Sequence, residues 1–408
     1  MERAESKRRS RMTRATIALA VVVVVTGIGG AVACAATILA ATALSAPPVA
    51  ALVLGIIVAA GTGWVGALRW RRSRRGGLWS VGLIVVSLAT SAGVLLPIAG
   101  TPVTPHGLTL SDGTRMPVRV KEGPSDRIPV VAVHGGPGIP FTDDEERTLR
   151  DAFPGRAVIT FDQVGAGGAS RLAAPSGYST TRAVADLAVI VDFAKASQVI
   201  LVGYSDGAGI AAEYAAGHPG RVAALVLISP GPLIASRAPV PVYGPQSGLD
   251  IPSSIALYAT ALQPRNLFLY LMSRVDPDAA HAFGGDAEMD ARYSELLALS
   301  ARGLHCPGTT HAARTSSTRP PGHYLNQVRQ NLPAVLDSRS LVSIGPVPLL
   351  VLRGTCDYIP RSVVDAIAAA LPHARIAHVE GSGHALLEDR PDAVRARLGA
   401  FLADQISG

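Results

Sequence analysis

The sequence predicts an α/β fold: a mostly parallel sheet flanked by helices, split by a helical cap insertion and preceded by three transmembrane helices. Three observations carry this. Beyond residue 101, apolar runs of strand length alternate with segments of helical periodicity. Runs such as IPVVAVHGG, QVILVGYS and VPLLVLRG are almost unbroken by polar residues, as expected of strands buried on both faces. Finally, no Asp, Glu, Lys or Arg occurs from Ala15 to Leu68.

The apolar segments come first in the chain. They cover about 15–44, 49–68 and 78–100, each long enough for a hydrocarbon core that takes roughly 20 helical residues to cross. A cleaved signal peptide is the alternative for the first, but its apolar run is too long for a signal core and two further spans follow. Basic residues crowd the N-terminus (residues 1–14) and the loop RWRRSRR between spans two and three, whereas SAPP between spans one and two has none. Positive charge stays on the cytoplasmic side, so three spans place everything after Gly100 outside. The lipid bilayer is thus an expected partner. Small residues recur every four positions (Gly55, Ala59, Gly63), but Ala- and Gly-rich sequence yields such spacing by chance, and a protein partner for the spans stays unknown.

The net charge of +7 follows the same pattern. Residues 1–75 hold eleven of the 37 Lys and Arg and two of the 30 acids, so the remainder is slightly acidic. The positive balance is a topology signal and gives no support to a nucleic-acid partner. Of three cysteines, Cys34 lies in the first span. Cys306 and Cys356 lie in the exported part, where a disulfide can persist; their spacing alone leaves the pairing open. No CxxC or HExxH spacing occurs, so no metal site is expected.

In the exported part, LTLSDGTRMPVRV alternates around Asp-Gly and predicts a hairpin. VVAV, RAVITFDQ, QVILVGYS, RVAALVLIS, VPLLVLRGTCD and ARIAHVEG read as strands. DDEERTLRDAF, residues 180–196, DGAGIAAEYAAGHP, RSVVDAIAAALP and DAVRARLGAFLADQ read as helices. Residues 232–345 break the alternation with helical pieces and no strand pattern. They form the predicted cap, dividing a core of residues 101–231 and 346–408.

Ligands of parallel sheets bind beyond the carboxyl ends of the strands, which directs attention to the residues there. Ser205 sits between a strand and a helix in Gly203-Tyr204-Ser205-Asp206-Gly207, a G-x-S-x-G pattern that exposes a nucleophilic hydroxyl on a sharp turn. Asp357 follows VPLLVLRGTC and is the candidate orienting acid, with helix capping as its plainer role. His384 follows the last strand in Gly-Ser-Gly-His and is the candidate base and acid. His134 to Gly138, HGGPG, follows VVAV; backbone N–H groups of Gly136 and Asp206 are the candidate oxyanion hole.

Together these motifs and the Ser–Asp–His order resemble the α/β-hydrolase fold, and more narrowly the proline iminopeptidase-type hydrolases. That family carries HGGPG and a D-Q-R-G-x-G-x-S stretch, which here reads DQVGAGGAS with Val164 in place of the arginine. After the nucleophile the family has tryptophan, where this chain has Asp206. The resemblance implies hydrolysis of a small peptide or ester, through an acyl-enzyme and without cofactor or metal. It also implies cap acids that hold a substrate amine, with candidates Asp276, Asp278, Asp286, Glu288, Asp290 and Glu295. The expectation is a membrane-anchored serine hydrolase facing outward. An esterase or lipase is the alternative within enzymes, and a catalytically silent receptor or scaffold the alternative outside them.

Overall fold

The computed structural model describes residues 96–233, 244–308, 319–332 and 342–406, with a few isolated positions before residue 60. The three predicted spans fall almost wholly outside the described residues. Among the described residues no helix is long and apolar enough to cross a membrane.

The strands are β1 (Leu108–Thr109), β2 (Arg115–Met116), β3 (Val118–Lys121), β4 (Val130–Val133), β5 (Val158–Phe161), β6 (Val199–Tyr204), β7 (Val222–Ile228), β8 (Leu349–Gly354) and β9 (Arg375–Val379). The helices are α1 (Asp143–Ala152), α2 (Thr180–Phe193), α3 (Asp206–Gly217), α4 (Ile251–Ala261), α5 (Pro264–Val275), α6 (Pro277–Phe283), α7 (Asp286–Ser300), α8 (His323–Gln330), α9 (Arg361–Ala370), α10 (Leu386–Asp389) and α11 (Pro391–Gln405).

Seven strands form one sheet in the order β3-β5-β4-β6-β7-β8-β9. Only β3 runs antiparallel, pairing with β5 at the edge. The Asp-Gly hairpin is present but short, with Leu108 opposite Met116, because VRVK leaves it to join the main sheet. Strands β4, β5, β6 and β8 are buried at every position, which explains their almost unbroken apolar sequence. The core on one face joins Val130, Ile200, Val202, Val226, Leu350 and Leu352 to Leu149 of α1, Phe153 at its C-cap, and Leu398 and Phe401 of α11.

Local signals place the helices. Thr142 and Glu145 form a reciprocal capping box at α1, and Asp143, Asp144, Glu145 and Glu146 crowd its first turn, where the helix dipole favours negative charge. Ser179 caps α2 by accepting from the Arg182 N–H.

The chain divides into two compact units. One comprises residues 99–260 and 285–408 and holds the sheet. The other takes residues 261–284 together with the chain up to residue 98. Within that second unit Phe268 and Phe283 pack edge to face, Arg265 lies over the Phe283 ring, and Asp276 caps α6. The predicted cap region therefore contributes helices to both units. Its last described helix, α8, ends at Gln330, short of the predicted helical segment, whose later part lies outside the described residues.

Candidate active site

The chain passes from β4 to β5 on one side and returns through α2 to β6 on the other, so β4 and β6 are neighbours whose following loops diverge. Such a switch point opens a crevice at the carboxyl ends of the strands. HGGPG leaves β4 there, and Ser205 leaves β6.

Ser205 turns the chain from β6 into α3 with φ +54° and ψ −116°, a conformation costly for a non-glycine residue. Its flanking glycines are needed for close approach. A Cβ on Gly203 would lie 2.5 Å from Ala208 Cα, and one on Gly207 would lie 2.4 Å from the Val133 carbonyl oxygen. The HGG loop lies directly against the serine, since a Cβ on Gly135 would meet Ser205 Cβ at 2.7 Å.

The structure brings together the three residues read from the strand ends. His384 Nε2 is 3.0 Å from Ser205 Oγ, and His384 Nδ1 is 2.9 Å from Asp357 Oδ1. All three are buried. Burial alone would raise the Asp357 carboxyl, but His384 beside it and hydrogen bonds from His384, Ile359 and Ser229 hold it below the ordinary carboxylate range. The His384 ring is fixed by Tyr204 stacked at 5.6 Å and Tyr358 tilted at 4.5 Å, and its carbonyl accepts from Tyr204 Oη and Ser229 Oγ. A serine, an imidazole and a carboxylate in this chain can move a proton from Oγ to Nε2 while the carboxylate steadies the resulting charge.

Asp206 is the first residue of α3, so its N–H has no carbonyl four residues back within the helix. Burial raises its carboxyl pKa, opposed by Arg329, whose Nη2 is 3.2 Å from Oδ1. Gly136 lies one residue beyond the contact of the loop with Ser205, at φ +119°. His134 is fully buried; burial lowers its pKa to about 4, and its Nε2 accepts from the Gln163 N–H, so it is a neutral support of the loop.

In the DQVGAGGAS stretch, Asp162 pairs with Arg119 and accepts from the Gly168 N–H. Of the candidate amine-binding acids, Glu288 pairs with Arg292, Asp290 with Arg171 and the His323 N–H, and Asp276 is used as a cap.

Several contributors were not singled out from sequence. Arg353 donates to the carbonyls of Gly354, Asp357 and Ile359 and so shapes the loop of Asp357. A lone arginine in an apolar strand was the available signal. Asp389 accepts from the Gly383 N–H, next to His384. Cys306 and Cys356, whose pairing the sequence left open, form a disulfide. No group of His, Cys, Asp or Glu among the described residues is arranged to hold a metal ion.

A family model for the alpha/beta hydrolase fold matches residues 128–391. The putative 2-succinyl-6-hydroxy-2,4-cyclohexadiene-1-carboxylate synthase of Bacillus subtilis is 39% identical over 127 residues, 31% of this chain. That match spans only 44% of the relative's own length. Epoxide hydrolase A of Mycobacterium tuberculosis is 26% identical over 335 residues, covering 72% of this chain and 96% of that protein. Among solved structures, a carboxylesterase of Nitrososphaera gargenis shares the fold with a TM-score of 0.50 at 16% identity, over 73% of this chain and 97% of that one.

Proposed function

Because the chain belongs to the alpha/beta hydrolase fold family, we propose that it is a serine hydrolase cleaving a small ester or peptide through an acyl-enzyme. Ser205 Oγ attacks the substrate carbonyl as His384 Nε2 takes its proton. The N–H groups of Gly136 and Asp206 hold the oxyanion. Collapse expels the leaving group with the proton from His384. Water then attacks the acyl-enzyme with His384 as base, releasing the acid and restoring Ser205. Asp357 keeps the imidazole oriented and balances its charge.

The observation that carries this reading is the pair of hydrogen bonds at 3.0 and 2.9 Å running from Ser205 through His384 to Asp357. Asp276, Glu288 and Asp290, three of the candidate amine-binding acids, already have partners within the protein. The test is labelling by a fluorophosphonate probe, with aryl esters and aminoacyl-arylamides assayed beside it. Wild type should label and Ser205→Ala should not; label on the alanine variant rejects the assignment.

We also propose that residues 15–100 anchor this domain at the outer face of a membrane. The charge pattern of the sequence supports it, and a Cys306–Cys356 disulfide suits an oxidising compartment. Protease added to intact cells should remove the hydrolase domain. Protection in intact cells with digestion after lysis would reject this placement.

A further inference from the structure

One short cap helix touches both arms of the candidate oxyanion hole. On the HGGPG side, the Gly322 N–H, at the N-cap of α8, donates to the Gly138 carbonyl at 2.7 Å. Asn326 Nδ2, on the first turns of α8, donates to the Pro137 carbonyl at 2.9 Å. On the other side, Arg329 Nη2 reaches Asp206 Oδ1 at 3.2 Å. Asn326 and Arg329 are both buried, and they are three residues apart, on one face of the helix. The packing leaves little slack. A Cβ on Gly138 would meet the Gly322 carbonyl oxygen at 2.7 Å, and one on Gly322 would meet that of Gly165 at 1.7 Å. The helix start is itself pinned to α7 by the His323 N–H, which donates to Asp290.

The two oxyanion arms leave neighbouring strands, β4 and β6, which pair up to Val133 and Gly203, and Gly207 packs on the Val133 carbonyl just beyond. Past that pairing, α8 is bonded to both arms. We propose that α8 sets the width of the oxyanion hole, with Asn326 and Arg329 as positioning residues for the two arms. This rests on the assignment of Ser205 as nucleophile and of Gly136 and Asp206 as donors. Neither side chain touches the reacting atoms in this arrangement. Asn326 acts through the Pro137 carbonyl that it holds, and Arg329 through the Asp206 carboxylate.

The geometry makes a specific demand. A hole that is too wide weakens the hydrogen bonds that form only as the carbonyl becomes an oxyanion, so kcat suffers while ground-state binding does not. The test is steady-state kinetics of Asn326→Ala and Arg329→Gln on a small aryl ester, with inhibition by a trifluoromethyl ketone, which forms an oxyanion on Ser205. Misplacing donors by a fraction of an ångström to 1 Å should lower kcat about tenfold to hundredfold, with KM within about threefold of wild type. Affinity for the trifluoromethyl ketone should fall in parallel with kcat/KM across the variants. Arg329→Lys, which keeps the charge, should recover part of the loss, and it serves in place of a variant that fails to fold.

Unchanged kcat in folded variants overturns the proposal. So does a kcat loss without loss of ketone affinity, or a rise in KM with kcat retained. Failure of the underlying reading looks different. In that case wild type would take no fluorophosphonate label that depends on Ser205, whereas a failure of the helix proposal alone leaves that labelling intact.

Discussion

Cys306 and Cys356 are joined by a disulfide that stands beside two histidine–carboxylate pairs, His384–Asp357 and His305–Asp389. Cys356 precedes Asp357, and its N–H donates to the Ser382 carbonyl, two residues before His384. Cys306 follows His305, whose Nδ1 lies 2.5 Å from Asp389 Oδ1. The other oxygen of Asp389 accepts from the Gly383 N–H at 2.7 Å. The bridge and the second pair thus hold the two loops that present Asp357 and His384.

Opening the bridge should therefore cost both stability and turnover. A crosslink across a separation of 50 residues stabilises by about 2–4 kcal/mol through restriction of the unfolded chain. Cys306→Ala with Cys356→Ala should be less stable by that amount, should melt at lower temperature and should turn over esters more slowly. Thermal melts of wild type with and without reductant, beside the double variant, check it. Equal melting of all three samples would contradict the role.

Two histidines should make the domain sensitive to mild acid. Burial lowers His134 and His323 from 6.5 to about 4. The unfolded chain then takes up these protons at higher pH than the folded one. The stability gained by keeping them neutral is complete above pH 6.5 and is lost as pH falls from there towards about 4. Each contributes at most about 3 kcal/mol over that window. Burial moves Asp290 the opposite way, to about 6, so comparison with a variant of one histidine isolates that histidine. Urea melts of wild type and His323→Gln between pH 7 and pH 4 should converge as pH falls. Parallel curves would show that His323 does not titrate differently on folding.

Ser205, Asp357 and His384 were legible because each follows an apolar strand, and parallel sheets present residues at that edge. The sheet itself was legible for the same reason: strands buried on both faces leave no polar interruption. What was not legible is long-range contact. Asn326 meets Pro137 across 189 residues and Arg329 meets Asp206 across 123, and neither pairing leaves a local pattern. The disulfide stayed open in the sequence because pairing depends on a Cα separation, here 5.2 Å, that spacing does not encode. The Asp-Gly hairpin was predicted longer than it is, because VRVK alternates equally well for a hairpin arm and for the sheet edge it joins.

Gly207→Ala should damage the site by simple collision. The new Cβ would lie 2.4 and 2.5 Å from the carbonyl oxygens of Val133 and His134, which are backbone and cannot swing away. Relief requires α3 to move off β4, taking Asp206 with it. The variant should be destabilised by about 1–3 kcal/mol, the usual cost of overpacking, and should label more slowly with a fluorophosphonate. Wild-type melting and labelling would mean that the loop yields more easily than its packing indicates.

Arg353 offers the most direct test of how the Asp357 loop is held. Its guanidinium is buried and donates to the carbonyls of Gly354, Asp357 and Ile359 at 2.9, 3.1 and 2.8 Å. These three acceptors face inward, and no water can easily replace a planar fork that spans them. Arg353→Met keeps the apolar stem but leaves them without that donor. Each buried acceptor so stranded costs about 1–3 kcal/mol, so a total loss of at least about 2 kcal/mol is expected. The loop should also loosen, letting Asp357 Oδ1 drift from His384 Nδ1 and slowing turnover. Arg353→Lys should behave more like methionine than like wild type, because a single ammonium cannot reach three divergent carbonyls. Urea melts measure the first effect and the rate of ester hydrolysis the second. A lysine variant that matches wild type in both would show that charge, not the fork, holds the loop.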